Sequence, residues 1–129
     1  MRELQDIRVM YVTAHGGLAG VKEAWEKLES KIGSPKGRKF YGTYFKEKGE
    51  YRACVAMKED DDPAALCLAV DTIPGGKYAD SKLTDWSRKV QDIPLIFREL
   101  ESKHDADDTR PGIEFYRSQR ELILLLPVK

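Results

Sequence analysis

The residue best placed to do chemistry in this sequence is Glu114, a lone carboxylate in the apolar run Ile113-Glu114-Phe115. Alternation along a strand puts Gly112, Glu114 and Tyr116 on one face and Ile113 and Phe115 on the other. A second aromatic segment, Phe40-Tyr41-Gly42-Thr43-Tyr44-Phe45, sorts the same way, with Phe40, Gly42 and Tyr44 together. A carboxylate among aromatic rings attracts organic cations through its charge and through the negative faces of the rings. Desolvation would also raise its pKa, which suits a general base or acid. Gly42 stands at the position equivalent to Glu114 and could leave room for a ligand. The expected binding set is therefore Glu114, Tyr44, Tyr116, Phe40 and Gly42, joined by Trp86 and Tyr78, whose rings serve either packing or recognition. If the site is catalytic, Glu114 is the base, with Tyr44, Trp86 or Tyr116 placing the substrate. The competing reading is a single Glu exposed on an open sheet face.

Other chemistry finds little support. Cys54 and Cys67 lie in apolar segments without metal or redox spacing, so both are expected as small buried hydrophobes. His15 and His104 are isolated, and no metal or cofactor is expected. The acidic run Glu59-Asp60-Asp61-Asp62-Pro63 lacks the calcium-loop pattern and reads as a solvated turn. Neither Gly16-Gly17 nor Gly75-Gly76 carries the Lys-Ser/Thr of a phosphate loop.

The elements that must position Glu114 follow from periodicity. Residues 5–13 alternate around Ile7, Val9 and Tyr11 as a strand. Leu18, Val21, Trp25, Leu28 and Ile32 form one stripe of a helix, closed by Gly33 and Ser34-Pro35. Residues 38–46 and 50–58 form a hairpin about Lys46-Glu47-Lys48-Gly49, and residues 66–73 another strand. Leu83, Trp86, Val90, Ile93, Phe97 and Leu100 then make a second helical stripe. Pro94 should kink it or divide it near Asp92, which could cap the second piece. Trp25 and Phe97 are expected as core residues. Residues 112–117 and 121–128 close a second hairpin.

The two sets share one order. Leu28-Glu29-Ser30-Lys31 recurs as Leu100-Glu101-Ser102-Lys103, and the same 72-residue offset carries Trp25 to Phe97, Gly42 to Glu114 and Tyr44 to Tyr116. Gly16-Gly17 matches Gly75-Gly76 at a shorter offset, which places an insertion around residues 80–92. Each half, roughly residues 5–58 and 66–128, reads strand–helix–strand–strand. The expected fold is α+β: one antiparallel sheet in a single domain, both helices on one face, and a ligand groove between the halves.

Composition bounds the partners. The 129 residues hold 22 Lys+Arg and 22 Asp+Glu, 41% apolar and 34% charged, which fits one soluble domain. Zero net charge argues against DNA, RNA or an anionic membrane as partner. Residues 37–45 resemble the aromatic strand of an RNA-recognition motif, but the companion strand is acidic. No apolar run could span a bilayer and no signal peptide is evident, so a cytoplasmic location is expected. The oligomeric state stays open.

Four motifs in order, Trp25-Glu26-Lys27-Leu28, Phe40-Tyr41-Gly42-Thr43-Tyr44-Phe45, Ile73-Pro74-Gly75-Gly76-Lys77-Tyr78-Ala79 and Pro111-Gly112-Ile113-Glu114-Phe115-Tyr116, resemble those of the GyrI-like small-molecule-binding domains. These also form the effector-binding halves of AraC- and MerR-type regulators. The resemblance implies a groove for bulky aromatic or cationic compounds with a central glutamate at Glu114. Some free-standing relatives inhibit gyrase, and others hydrolyse electrophilic cyclopropane-bearing compounds with that glutamate and a neighbouring aromatic residue. The family's Gly-Pro-Tyr turn is replaced here by Ser81-Lys82-Leu83-Thr84-Asp85-Trp86, so ligand preference does not transfer. The chain has no room for a helix-turn-helix, so a stand-alone binding domain is expected.

Overall fold

A computed structural model describes residues 1–16 and 18–129, and of Leu18 the backbone alone. The expected Gly16-Gly17 pair and the first residue of the helix-one stripe thus fall partly outside the described residues. The elements run β1 (Arg2–Leu4), β2 (Ile7–Thr13), α1 (Leu18–Ile32), β3 (Phe40–Phe45), β4 (Glu50–Ala56), α2 (Pro63–Leu66), β5 (Ala69–Ile73), β6 (Gly76–Thr84), α3 (Ile93–Lys103), β7 (Gly112–Tyr116) and β8 (Glu121–Pro127). Eight strands form one curled antiparallel sheet in the order β1-β6-β8-β7-β3-β4-β2-β5. That order reads symmetrically from the β7–β3 seam outward: β8 answers β4, β6 answers β2, and β1 answers β5. The duplicated strand–helix–strand–strand units therefore meet at β3 and β7, the two strands that carry Gly42 and Glu114.

Cross-strand partners share a face, so the register divides the sheet cleanly. Phe40, Gly42 and Tyr44 stand opposite Tyr116, Glu114 and Gly112. Both long helices cover that face. Ala24 and Leu28 of α1 bury against Met10, Ala53 and Val55. Ile93, Ile96 and Phe97 of α3 pack on Leu83, Leu122 and Leu124, and Leu100 packs on Ala79 and Leu126. The opposite face closes on itself around Val9, Tyr41, Cys54, Tyr78, Ile113, Ile123 and Leu125. At its rim Arg52 lies 4.2 Å from the Tyr11 ring centroid and 4.5 Å from that of Phe45, and it binds Asp71 and Glu50.

Several expectations are corrected. The second stripe is not one helix. Leu83 belongs to β6, where it faces Leu122, because pairing with β8 extends through Thr84. Trp86–Arg88 and Val90–Asp92 are 3-10 turns, and Val90 is exposed. The spacing misleads because a strand residue and a helix residue both point at the same layer of core. Pro94 does sit in the first turn of α3, but the Asp92 side chain makes no capping bond. Residues 63–66 form a short helix, capped by Asp62, before β5 begins at Ala69. Cys54 is buried, and burial pushes its thiol up to about 12. Cys67 is exposed and left-handed (φ 56°), ending α2. Gly33 closes α1 with φ 76°, as its position requires.

The acidic run is not wholly a solvated turn. Arg38 donates to both Asp61 oxygens at 2.6 Å, and the two side chains are 10% and 7% exposed. The Lys58 amide adds a bond of 2.7 Å. These donors, Arg38 foremost, hold the Asp61 carboxyl at about 2 against an ordinary 3.8. Because the folded pKa is depressed, the stabilisation is present above 3.8 and lost as pH falls through about 2. Asp61→Asn should cost about 2 kcal/mol at pH 7, between the worth of an exposed and of a fully buried pair. Urea titrations at pH 7 and pH 2 should show that difference shrinking to near zero in acid.

Candidate functional site

The site starts from an absence of side chain. A Cβ built on Gly42 would lie 2.2 Å from the Tyr51 hydroxyl and 2.6 Å from Glu114 Oε1. The bare backbone at Gly42 is what lets Tyr51 reach across β3 from β4 to β7. The space expected for a ligand at Gly42 is therefore filled by the protein's own hydroxyl and carboxyl groups. Tyr51 reaches this face because the hairpin turn pairs Phe45 with Glu50 and Tyr44 with Tyr51.

Both tyrosines converge on one carboxylate oxygen. The Tyr51 and Tyr116 hydroxyls each donate to Glu114 Oε1 at 2.7 Å. Trp25 of α1 donates its indole N–H to the Tyr51 oxygen at 3.2 Å, so the bonds run in one direction, toward the carboxyl group. Glu114 Oε2 accepts no bond among the described residues, and it is not fully occluded. Around this group the rings meet edge to face. Trp25 lies 5.2 Å from Tyr116 and 6.1 Å from Phe40, and Trp86 lies 5.0 Å from Tyr116. Trp86 is held by its indole N–H on the Ser118 carbonyl at 3.1 Å.

The electrostatics follow from this enclosure. Burial raises the Glu114 pKa above 4.5, while the hydrogen bonds from Tyr116 and Tyr51 partly oppose the rise. Burial, and then the neighbouring Glu114 charge, push Tyr51 and Tyr116 well above the ordinary phenol range. Both hydroxyls therefore keep their protons and act as donors. The arrangement offers ring faces and one free carboxyl oxygen, with no donor left to bind an anion.

The structure gathers Glu114, Tyr116, Phe40, Gly42 and Trp86 on this face. Tyr44 shares the face but sits at its rim, 48% exposed, with no hydrogen bond to Glu114. Tyr78 does not belong here. It is fully buried on the opposite face, with its hydroxyl on the Pro74 carbonyl at 2.6 Å and Arg110 over its ring. Tyr51 and Trp25 were missed as site residues. Counting cross-strand pairs outward from the Lys46–Gly49 turn would have placed Tyr51 opposite Tyr44, on the same face as Gly42. The Trp25 ring follows the helix stripe, and its indole N–H carries no sequence signal of its own. A separate cavity of about 290 Å³ lies between α1, β2 and β5, lined by His15, Lys27 and Cys67 among others. Among the described residues no cluster of three or more His, Cys, Asp or Glu is arranged to hold a metal.

No protein-family model matches the chain, and no curated protein matches it in sequence. Solved structures do match in fold. An integron cassette protein from the mobile metagenome of Vibrio cholerae superposes with a TM-score of 0.71 at 16% identity, covering 99% of this chain and 94% of that one. The protein SAV2435, solved bound to tetraphenylphosphonium, gives 0.67 at 12% identity, covering 99% and 92%. A hydrolase from Listeria innocua gives 0.60 at 13% identity, covering 99% and 89%. At these identities the likeness is one of fold.

Two outcomes test this geometry. Gly42→Ala should expel the Tyr51 hydroxyl and destabilise the fold by about 1–3 kcal/mol, the range for overpacking a filled site. Denaturant melts of Gly42→Ala and of Gly42→Ala/Tyr51→Phe measure it, and the double variant should recover part of the loss. Because the folded pKa of Glu114 is raised, its contribution to stability is full below 4.5 and lost as pH rises through the folded value. The stability of Glu114→Gln relative to the parent should therefore increase from pH 4.5 to pH 8.

Proposed function

We propose that this chain binds bulky, aromatic, positively charged organic compounds at the Glu114 groove, and so senses or sequesters them. One observation carries the reading: a carboxyl group with one oxygen fixed by Tyr51 and Tyr116 and the other unbound, on the face where the Trp25, Trp86 and Phe40 rings pack about Tyr116 and one another. A cation there gains both the carboxylate charge and the ring faces, in a setting where water screens little. The tetraphenylphosphonium complex of SAV2435 supports this reading, because a protein of the same fold takes up a ligand of that chemistry. The resemblance to GyrI-like domains points the same way. The rings touch one another in the present arrangement, so a bulky ligand must part them. Trp86 is the ring best placed to swing, since it sits on a 3-10 turn outside the long helices.

A hydrolytic reading is second. Its supporting observations are the raised pKa of Glu114, which makes its carboxylate a stronger base, and the hydrolase among the fold neighbours. In that reading Glu114 takes a proton from water as the oxygen attacks an electrophilic, cyclopropane-bearing compound, with Tyr116 or Trp86 placing the ring. The free Oε2 is the atom that would accept the proton.

Fluorescence of Trp25 and Trp86 provides the assay. Tetraphenylphosphonium should quench it saturably, whereas the anion of the same shape, tetraphenylborate, should not bind. Glu114→Gln should weaken tetraphenylphosphonium binding at least tenfold, about 1.4 kcal/mol. Equal binding of cation and anion would reject the carboxylate as the selecting group. Turnover of a cyclopropane electrophile that vanishes in Glu114→Gln would establish the second reading over the first.

A further inference from the structure

The Glu114 carboxyl has no counter-ion among the described residues. From its own strand it meets Tyr116, from β4 Tyr51, from β3 the bare Gly42, from β8 the apolar Leu124, and above it stands Trp25. None of these carries a positive charge. The charged side chains of α1 and α3 are exposed, except Lys31, whose ammonium lies on the Leu66 carbonyl. The salt bridges among the described residues all lie elsewhere: Arg38 serves Asp61, Arg52 serves Glu50 and Asp71, and Arg110 serves Asp107. A chain with 22 cationic side chains places none of those described against this partly buried carboxylate.

An enclosed carboxyl without a counter-ion is costly as an anion, and it escapes the cost by keeping its proton. The hydrogen bonds say where that proton sits. Oε1 already accepts two hydroxyl bonds, which use both of its lone pairs. The proton must lie on Oε2, the oxygen that accepts no bond among the described residues. That is also the oxygen an incoming cation would meet.

We propose that Glu114 exchanges a proton for its ligand: Oε2 holds a proton while the groove is free of ligand, and releases it to solvent as an organic cation docks. This rests on the cation-binding reading above and extends it to the linkage between binding and pH. The balance is simple. The neutral carboxyl and a free monocation become a carboxylate–cation pair and one proton in bulk water, with no other bond made or broken. The raised pKa of Glu114 agrees with the geometry. The device makes the groove selective in a second way. A neutral aromatic compound leaves the proton in place and gains only ring contacts, whereas a cation gains an unscreened charge pair.

Tetraphenylphosphonium is a suitable probe because it has no titratable group, so any proton released comes from the protein. Calorimetric titrations at one pH, in two buffers of different ionisation enthalpy, count those protons. Below the raised Glu114 pKa the affinity should rise toward tenfold per pH unit, and above it the affinity should level off. Proton release should approach one per ligand on the acid side and vanish on the plateau. Tyr116→Phe removes a donor to the carboxylate, so its plateau should begin at higher pH. Glu114→Gln should bind weakly, with a flat profile. Binding with a flat affinity and no proton release in the unmodified protein would overturn the exchange and leave the binding reading standing. A slope that persists in Glu114→Gln would assign the proton elsewhere and overturn it equally. Absence of binding at every pH would sink the binding reading itself, and the exchange with it.

Discussion

The Tyr51–Glu114 hydrogen bond crosses an entire strand, and the rest of the centre is arranged to permit it. Tyr51 belongs to β4 and Glu114 to β7, with β3 between them. A side chain on β3 at that point would block the contact, and Gly42 has none. The two halves of the chain are therefore joined by more than the backbone ladder of β3 and β7. A phenol from the first half holds the carboxyl group of the second. Trp25 then ties α1 to the same group through Tyr51, and Tyr116 stands between Trp25 and Trp86. Loosening any one of these rings changes the setting of the carboxyl group.

That setting depends on a division of labour between the two faces of the sheet. The face away from the helices holds an apolar core and spends its charged groups on structural pairs, as Arg52 does between Tyr11, Phe45 and Asp71. The helix-covered face is apolar at both flanks, where α1 and α3 seat their buried residues, and polar at its centre. Polar groups survive there because they satisfy one another, with both tyrosine hydroxyls donating to Glu114 Oε1 and the Trp25 indole donating to Tyr51. Among the described residues Oε2 is left without a hydrogen bond, so the network ends on a carboxyl oxygen that its neighbours do not satisfy.

Much of this was legible in the sequence, and the failures have physical causes. The strand–helix–strand–strand order, the two hairpins and the shared face of Phe40, Gly42, Glu114 and Tyr116 follow from periodicity and the internal repeat. The residues around the insertion did not. Leu83 and Trp86 continue the spacing of α3, yet a strand pairing with β8 buries Leu83 better than a helix could. Tyr78 was misjudged because an aromatic beside a turn looks the same whether it faces a groove or the reverse of the sheet. Its partner Pro127 is an odd-numbered residue of β8, on the opposite face from Leu124 and Glu114. Asp61 was hidden inside a like-charge run, and its partner Arg38 lies 23 positions away. Tyr51 was readable by counting from the turn. The direction of the Trp25 indole N–H was not.

The repeat also explains why the site is single. The seam places position 42 directly opposite position 114, at the spacing of about 4.5–5.5 Å between Cβ atoms expected of a cross-strand pair. Two glutamates there would face each other in a poorly screened setting, and like charges so close cannot both ionise. The duplication must break its symmetry at this pair, and it does so by reducing one member to glycine. The same break recurs in the residues that serve the pair. Tyr51 in β4 stands where β8 has Leu122, and Trp25 stands where α3 has Phe97. The half with glycine at the seam thus sends Tyr51 across it, and the half with the carboxyl group adds a second donor, Tyr116, from the same strand. The pseudo-symmetric fold thereby sets a single carboxyl group at its seam and gathers hydroxyl donors from both halves around it.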